Sequence, residues 1–326
     1  MSSTDGVPVS APKPSDIRRP SRVILEGRRS GPISDRRGGK AKANKRTLAI
    51  ALALLLPAIV SLALFRLWPA GKAFVTSFEE LSGGFGFGNY EYLFSTPDFQ
   101  QMIFVTLMFN LAINPIQVVL ALALALLIQQ RLPGTTLWRM LAFAPTALPI
   151  AVGAIVWNIA FREDDGLVNS FLATLGFDKL PWLTSTSLAM PAIIIMACWV
   201  GVGYWMVFLL AGLNEIPQSI LQAAEIDGAG WWRRTFSIVI PLIRRQLLFV
   251  LIAATVVNFL MFAPVQIMTS GGPNGSTNLI MYSAYTQAFG FNDQPLAAAH
   301  VVIVMSILLV IVGIQFKLLK SKDGDN

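Results

Sequence analysis

The chain has 326 residues, of which 54% are hydrophobic and 13% charged, with a formal net charge of +7. Soluble domains carry about 25% charged residues, so the lipid bilayer is the natural solvent for most of this sequence. A single cysteine, Cys198, excludes an intrachain disulfide, and a single histidine, His300, leaves no Cys/His cluster with metal-ligand spacing.

Twelve of the 25 Lys and Arg precede residue 47 in a stretch rich in Pro, Ser and Gly with almost no apolar periodicity. Residues 1–46 read as a disordered basic cytosolic tail; specific binding to nucleic acid or anionic lipid is the functional alternative, and no nucleic-acid partner is expected for the chain. The apolar run that follows exceeds a signal-peptide core and lacks a convincing cleavage site, so an uncleaved helix is expected.

Apolar runs of about 20 residues, enough to cross a bilayer, fall roughly at 47–68, 102–128, 137–160, 188–213, 247–268 and 296–318. They are too long and continuous for barrel strands, which leaves helices as the form that satisfies the backbone in lipid. The expected fold is an all-α integral membrane protein with six transmembrane helices over 47–320 and a short tail at 321–326. Pro115 in the second run, and Pro145 and Pro149 in the third, predict kinks or local unwinding.

Orientation follows from the cations. With the N-terminus inside, the tail, Arg131, Arg139, Arg233, Arg234, Arg244, Arg245, Lys317, Lys320 and Lys322 fall on the inner side. The outer loops hold Lys72, Arg162 and Lys179, with Arg66 near the outer end of the first span. This asymmetry places both termini, and the loop at 214–246, in the cytosol.

That loop contains Gln222-Ala-Ala-Glu-Ile-Asp-Gly-Ala229, then Phe236 and Pro241. Pro217 suits an early helical position, and Ser219 with Gln222 has capping-box spacing, so a helix starts at one or the other. Gly228 permits a positive-φ turn, after which Trp231 to Ile240 reads as a second helix. Ala223, Ala224 and Ala229 let another protein approach closely, while Trp231, Trp232 and Phe236 offer apolar anchors. An amphipathic connector packed only on its own chain is the plainer alternative. The string nearest to a Walker A loop, Ser34 to Ala41, lacks the first Gly and the final Ser/Thr, so any nucleotide chemistry is expected on another subunit.

Polar residues inside the runs are Asn110, Asn114, Asn158, Tyr204, Asn258, Gln266 and His300. Such residues face a bundle interior or a cavity. The fourth run places Trp199, Tyr204 and Trp205 beside Gly201 and Gly203, a combination suited to stacking on a sugar ring. No ionisable residue lies deep in runs four and five, which favours a neutral solute. Interhelical hydrogen bonding is the equal alternative for Tyr204 and Asn258. Packing is the plainer reading for Trp199, Trp205, Cys198 and His300.

The ordered set Ala223-Ala224-x-x-Asp227-Gly228-Ala229, Phe236, Val239 and Pro241 resembles the coupling ("EAA") loop of permease subunits in binding-protein-dependent ABC importers, maltose and glycerol-3-phosphate type. The segments Gly166-Leu-Val-Asn169, Pro181-Trp182-Leu183, Ala211 to Pro217, Thr269 to Pro273 and Tyr285 to Phe289 extend the resemblance over nearly the whole chain from the first span. The resemblance implies a non-enzymatic transport subunit in a bacterial cytoplasmic membrane. It would form a heterodimer with a second homologous permease subunit, two ATPase subunits and an extracytoplasmic solute-binding protein. It also implies no cofactor in this chain, with ATP and Mg bound by the ATPase.

By the same resemblance, Gln222, Ala223, Ala224, Glu225, Asp227, Gly228, Ala229, Phe236 and Pro241 contact the ATPase. Val200, Gly201, Tyr204 and Asn258 line the path of a sugar-like solute; the matched positions Ala197, Ala254, Val257 and Met261 are apolar here. Gly271, Gly272 and Pro273 touch the binding protein, with segment 161–187 and its acids Glu163, Asp164 and Asp165 as a second candidate. Two departures stand out: Gln222 replaces the family's leading Glu, and Arg245 replaces a frequent Pro. Glu225, on the same helical face as Gln222, is expected to supply the missing carboxylate. The rival readings are an ion-coupled secondary transporter, which would show inverted repeats or intramembrane carboxylates, and an integral-membrane transferase, which would need an acidic cytosolic cluster.

Overall fold

The computed structural model describes residues 45–80, 83–130 and 133–320. The expected tails at 1–46, but for the last two residues, and at 321–326 lie outside the described residues, as does Arg131. Contacts divide the chain into two units, Met1–Ile59 and Val60–Asn326. The first contributes most of helix α1 (Lys45–Leu62); all later elements belong to the second. Among the described residues there is no strand, and one isolated bridge pairs Glu79 with Phe85.

Helix α1 passes through a π turn at Ala63–Leu67 into α2 (Trp68–Thr76), so helix continues beyond the expected end near 68. Arg66 and Lys72 do not stop it, because long basic side chains keep their charge in water while the stem lies along apolar surface. After a short helix, α3 (Gly88–Ser95), comes α4 (Pro97–Gln129), which runs unbroken through Pro115. Its buried residues include Phe99, Met102, Thr106, Phe109, Asn110, Ile113, Asn114, Gln117, Ala121, Ala125 and Ile128, a stripe at the three-and-four spacing of one helical face.

The third apolar run is not one helix. It divides into α5 (Thr135–Phe143), a 3-10 turn at Ala144–Ala147 and α6 (Ile150–Ala160), the two halves bent by 97°. Pro149 has no N–H for the carbonyl four residues back, and Pro145 restricts the residue before it, so the expected kink becomes a break. Beyond α7 (Leu167–Thr174), α8 (Ala189–Asn214) packs along α4, and the fully buried Ala121, Ala125 and Ala192 belong to their common core. Small residues at such a seam let helices approach closely where lipid provides no hydrophobic drive.

The loop at 214–246 holds α9 (Gln218–Ile226), α10 (Trp231–Arg234), a π turn at Thr235–Val239 and α11 (Ile240–Leu242). The stretch 231–242 meets α12 (Arg244–Phe259) at a 72° bend. The fifth run, expected to continue to 268, stops at Phe259. Pro264 would clash with the carbonyl four residues earlier, so a separate short helix, α13 (Ala263–Met268), begins there instead. The segment after α13 then forms α14 (Ile280–Tyr285) and a π turn at Thr286–Gly290 before the last long helix, α15 (Gln294–Lys320). Among the described residues, four helices are long and apolar enough to cross a membrane, or up to six if each bent pair forms one span.

Candidate functional site

Helix α9 begins at Gln218, after Pro217 in an extended conformation, and no side chain caps it. The expected capping box at Ser219 therefore does not form. The C-terminal end is closed by the backbone: Ala229 N–H donates to Ala224 O at 2.9 Å and Gly228 N–H to Glu225 O at 3.0 Å. With Gly228 at φ +73°, this is the Schellman arrangement, in which a left-handed residue turns the chain while satisfying the last carbonyls. Gly230, in an extended conformation, then leads into α10.

The resulting hairpin rests on the bundle through Ile216, Ala224 and Val239, which are buried, while Gln222, Ala223, Asp227, Trp232, Phe236 and Pro241 are exposed. Ile226 is 87% exposed and Trp232 69%, the latter stacked on Phe236 with ring centroids 5.8 Å apart. Such apolar exposure at a rigid edge is the signature of a surface built for contact. Glu225 is not a free carboxylate: it forms an ion pair with Arg234 that braces α9 against α10. The carboxylate expected to replace the one lost at position 222 is thus committed within the loop.

Four residues of the expected solute path separate into two environments. Tyr204 is 42% exposed, its ring edge-on to Trp205 and Phe208. Asn258 is 2% exposed and lies in a junction of carboxamides: its Nδ2 donates to Asn114 Oδ1 at 2.7 Å and to Gln117 Oε1 at 3.0 Å. Gln117 Nε2 in turn donates to Ala197 O at 3.0 Å, so α4, α8 and α12 are joined at one point.

The glycines of α8 are occupied by this chain's own groups rather than lining a concave wall. A Cβ at Gly201 would sit 2.9 Å from Gln117 Nε2, and one at Gly203 would sit 2.1 Å from Ala142 O. Val200 accepts a hydrogen bond from Thr146 Oγ1 at 2.8 Å through its carbonyl, tying the broken third run to α8.

Other polar residues flagged in the sequence have structural partners. Asn158 Nδ2 donates to Ile267 O, and His300, 1% exposed, keeps Nδ1 at 2.8 Å from Leu296 O with its ring against Phe99. Cys198 and Trp205 are buried. Gln117 and Asn169 were missed as organising residues. Gln117 was legible from its spacing behind Asn110 and Asn114 on one face of α4. Asn169 accepts from Leu180 N–H and Trp182 Nε1 and donates to Leu180 O and Glu163 O, which fixes segment 161–187.

The Gly-Gly-Pro loop is locked in shape. Gly271 is at φ +78°, the Gly272–Pro273 bond is cis, Thr277 Oγ1 donates to Gly272 O at 2.8 Å, and Gln101 Nε2 donates to Asn274 O at 3.1 Å. Among the described residues no group of His, Cys, Asp and Glu could hold a metal ion.

A multi-helix membrane bundle with a protruding, backbone-braced hairpin defines a transport permease component. Residues 117–322 match the family described as binding-protein-dependent transport system inner membrane component, and the chain belongs to that family. It is 33% identical over 278 residues to the sn-glycerol-3-phosphate transport system permease protein UgpA of Yersinia enterocolitica, covering 82% of this chain and 93% of that one. To the sulfoquinovosyl glycerol transport system permease protein SmoG of Agrobacterium fabrum it is 31% identical over 283 residues, 84% of this chain and 91% of the other. Its fold matches a chain of a bacterial ABC transporter involved in import of the acidic polysaccharide alginate. The TM-score is 0.72 at 21% identity, covering 85% of this chain and 96% of that chain.

Proposed function

We propose that this chain is one permease half of an ATP-driven importer that passes a sugar or sugar-like solute across a bacterial cytoplasmic membrane. In this reading each bent helix pair counts as one span, giving six spans with both termini in the cytosol. A homologous permease completes the channel, a binding protein delivers solute at the outer face, and two ATPase subunits hold ATP and Mg. The observation that carries the reading is the hairpin from Gln218 to Leu242: rigid, exposed along its Gln222, Ala223, Ile226, Trp232 and Phe236 edge, and joined to α12 through a 72° bend. Rigid-body motion of a docked hairpin would tilt α12 and carry closure of the ATPases to the membrane.

The relatives named above carry anionic solutes in their names; here the candidate path residues Val200, Gly201, Tyr204 and Asn258 include no cation, which supports an uncharged polyol or sugar. Contact of the binding protein with Gly271, Gly272 and Pro273 fits the locked outer loop, since a pre-shaped surface loses little entropy on docking. Affinity capture of the full chain from its host membrane tests the reading. An ATPase and a second permease should accompany it. Solute transport by the purified chain with no ATPase present would favour the secondary-transporter alternative.

A further inference from the structure

At the end of the bundle assigned to the outer side, α3, the start of α4, α14 and the start of α15 enclose a cavity of about 260 Å³. It lies apart from Tyr204 and Asn258, and a shallower recess of about 630 Å³ shares its Tyr92, Gln287 and Phe291 wall. Three aromatic side chains, Tyr92, Tyr282 and Phe291, stand beside the polar groups of Asp98, Asn278 and Gln287. Exposed aromatics at this level are also what a membrane-interface belt would supply. A belt does not account for Ser283 and His300, buried polar side chains that also line the cavity, with Ser283 Oγ 3.4 Å from His300 Nε2. Buried polar atoms of this kind find a partner in protein, water or ligand.

We infer that this cavity is an outer subsite for a single uncharged sugar or polyol ring, occupied before the solute reaches the membrane interior. Its volume falls just below the roughly 300–1,000 Å³ of drug-sized pockets, which suits one small ring. Aromatic faces take the C–H surface of the ring, Gln287 and Ser283 take hydroxyls, and Asp98 accepts two of them while repelling a carboxylate or phosphate. No Lys or Arg lines the cavity to bind such a group, and His300, which does line it, has Nδ1 held by Leu296 O and Nε2 beside Ser283 Oγ. The inference rests on the polyol-importer reading and adds a charge filter to it.

Thr286 and Thr96 suit as reporters, because their hydroxyls are already spent on the carbonyl of Tyr282 and of Tyr92, respectively. With Cys198 buried, Thr286→Cys supplies the reactive thiol, and Thr96→Cys is the second placement should the first fold poorly. Labelling by a membrane-impermeant maleimide is followed on intact cells and on the purified full chain. D-glucose, D-galactose and glycerol are the probes; glycine betaine is the osmolyte control and D-glucuronate the charged one. At least one neutral probe should slow labelling threefold or more, the factor reached at about twice its Kd. Betaine and glucuronate should not, and Asp98→Ala should abolish the protection.

Labelling unaffected by all three neutral probes, or slowed equally by glucuronate or betaine, overturns the subsite. Labelling that requires permeabilised cells overturns the assignment of this face to the outside instead, so the two failures are distinguishable. Absence of an ATPase from the captured complex would count against the importer reading without touching the cavity.

Discussion

The hairpin from Gln218 to Leu242 and the carboxamide junction solve the same problem, holding a fixed shape, by opposite means. In the hairpin the backbone does the work: Gly228 and Ala229 close α9 through main-chain bonds, and most side chains on its outer edge are left exposed. In the junction the side chains do it: Asn114, Gln117 and Asn258 are each nearly fully buried, Asn258 of α12 bonds to both residues of α4, and Gln117 bonds on to the Ala197 carbonyl of α8. At a water-facing edge, side chains held by nothing internal are available to a partner. Inside a bilayer, where a lone amide finds no water, the same polar groups are consumed by the fold.

The comparison breaks most severely if α8 tolerates a side chain at Gly203. A Cβ there would meet the Ala142 carbonyl, a backbone atom that cannot swing away. Gly203→Val should therefore cost about 3 kcal/mol or more, at or above the upper end for overpacking, and abolish recovery of monodisperse protein. Next comes Asn258→Leu, which strands Asn114 and Gln117 without a donor. A loss of about 1–3 kcal/mol should appear as a lowered thermal midpoint. Tyr204→Ala, at an exposed position, should lower uptake while leaving that midpoint within a degree or two. If the two variants behaved alike, the division between clamp and path would fail.

Gly228→Ala forces a left-handed conformation on a residue with a Cβ, at about 1–2 kcal/mol. Its effect should be local, weakening ATPase capture with little change in global melting. Smallest is the ion pair. An exposed pair contributes about 0.2–1 kcal/mol, so Glu225→Arg alone should loosen ATPase capture several-fold at most. The double swap with Arg234→Glu should restore it. Failure of that rescue would mean Glu225 addresses the ATPase directly.

Much of this was readable from residue order. Long apolar runs announced helices, Pro145 and Pro149 marked the break in the third, and Asp227-Gly228 marked the turn that closes α9. What eluded the sequence was what each break becomes in three dimensions. A proline specifies that a hydrogen bond is lost, not whether the result is a kink, as Pro115 shows by causing no interruption, or a 97° bend. The partners of polar residues were equally hidden, because Asn258 is joined to residues more than 140 positions away. Glu225 looked free for the same reason: Arg234 reaches it only once the turn at Gly228 has folded back.

The most direct measurement is ATP hydrolysis in the complex captured with the full chain, compared with Ala223→Trp. Ala223 is exposed, so the indole should leave the chain's own fold and yield intact while blocking close approach of another protein. The account predicts robust hydrolysis with the native chain and its loss, together with the ATPase subunit, in the variant. Undiminished ATPase in the Ala223→Trp complex, or none with the native chain, would contradict it.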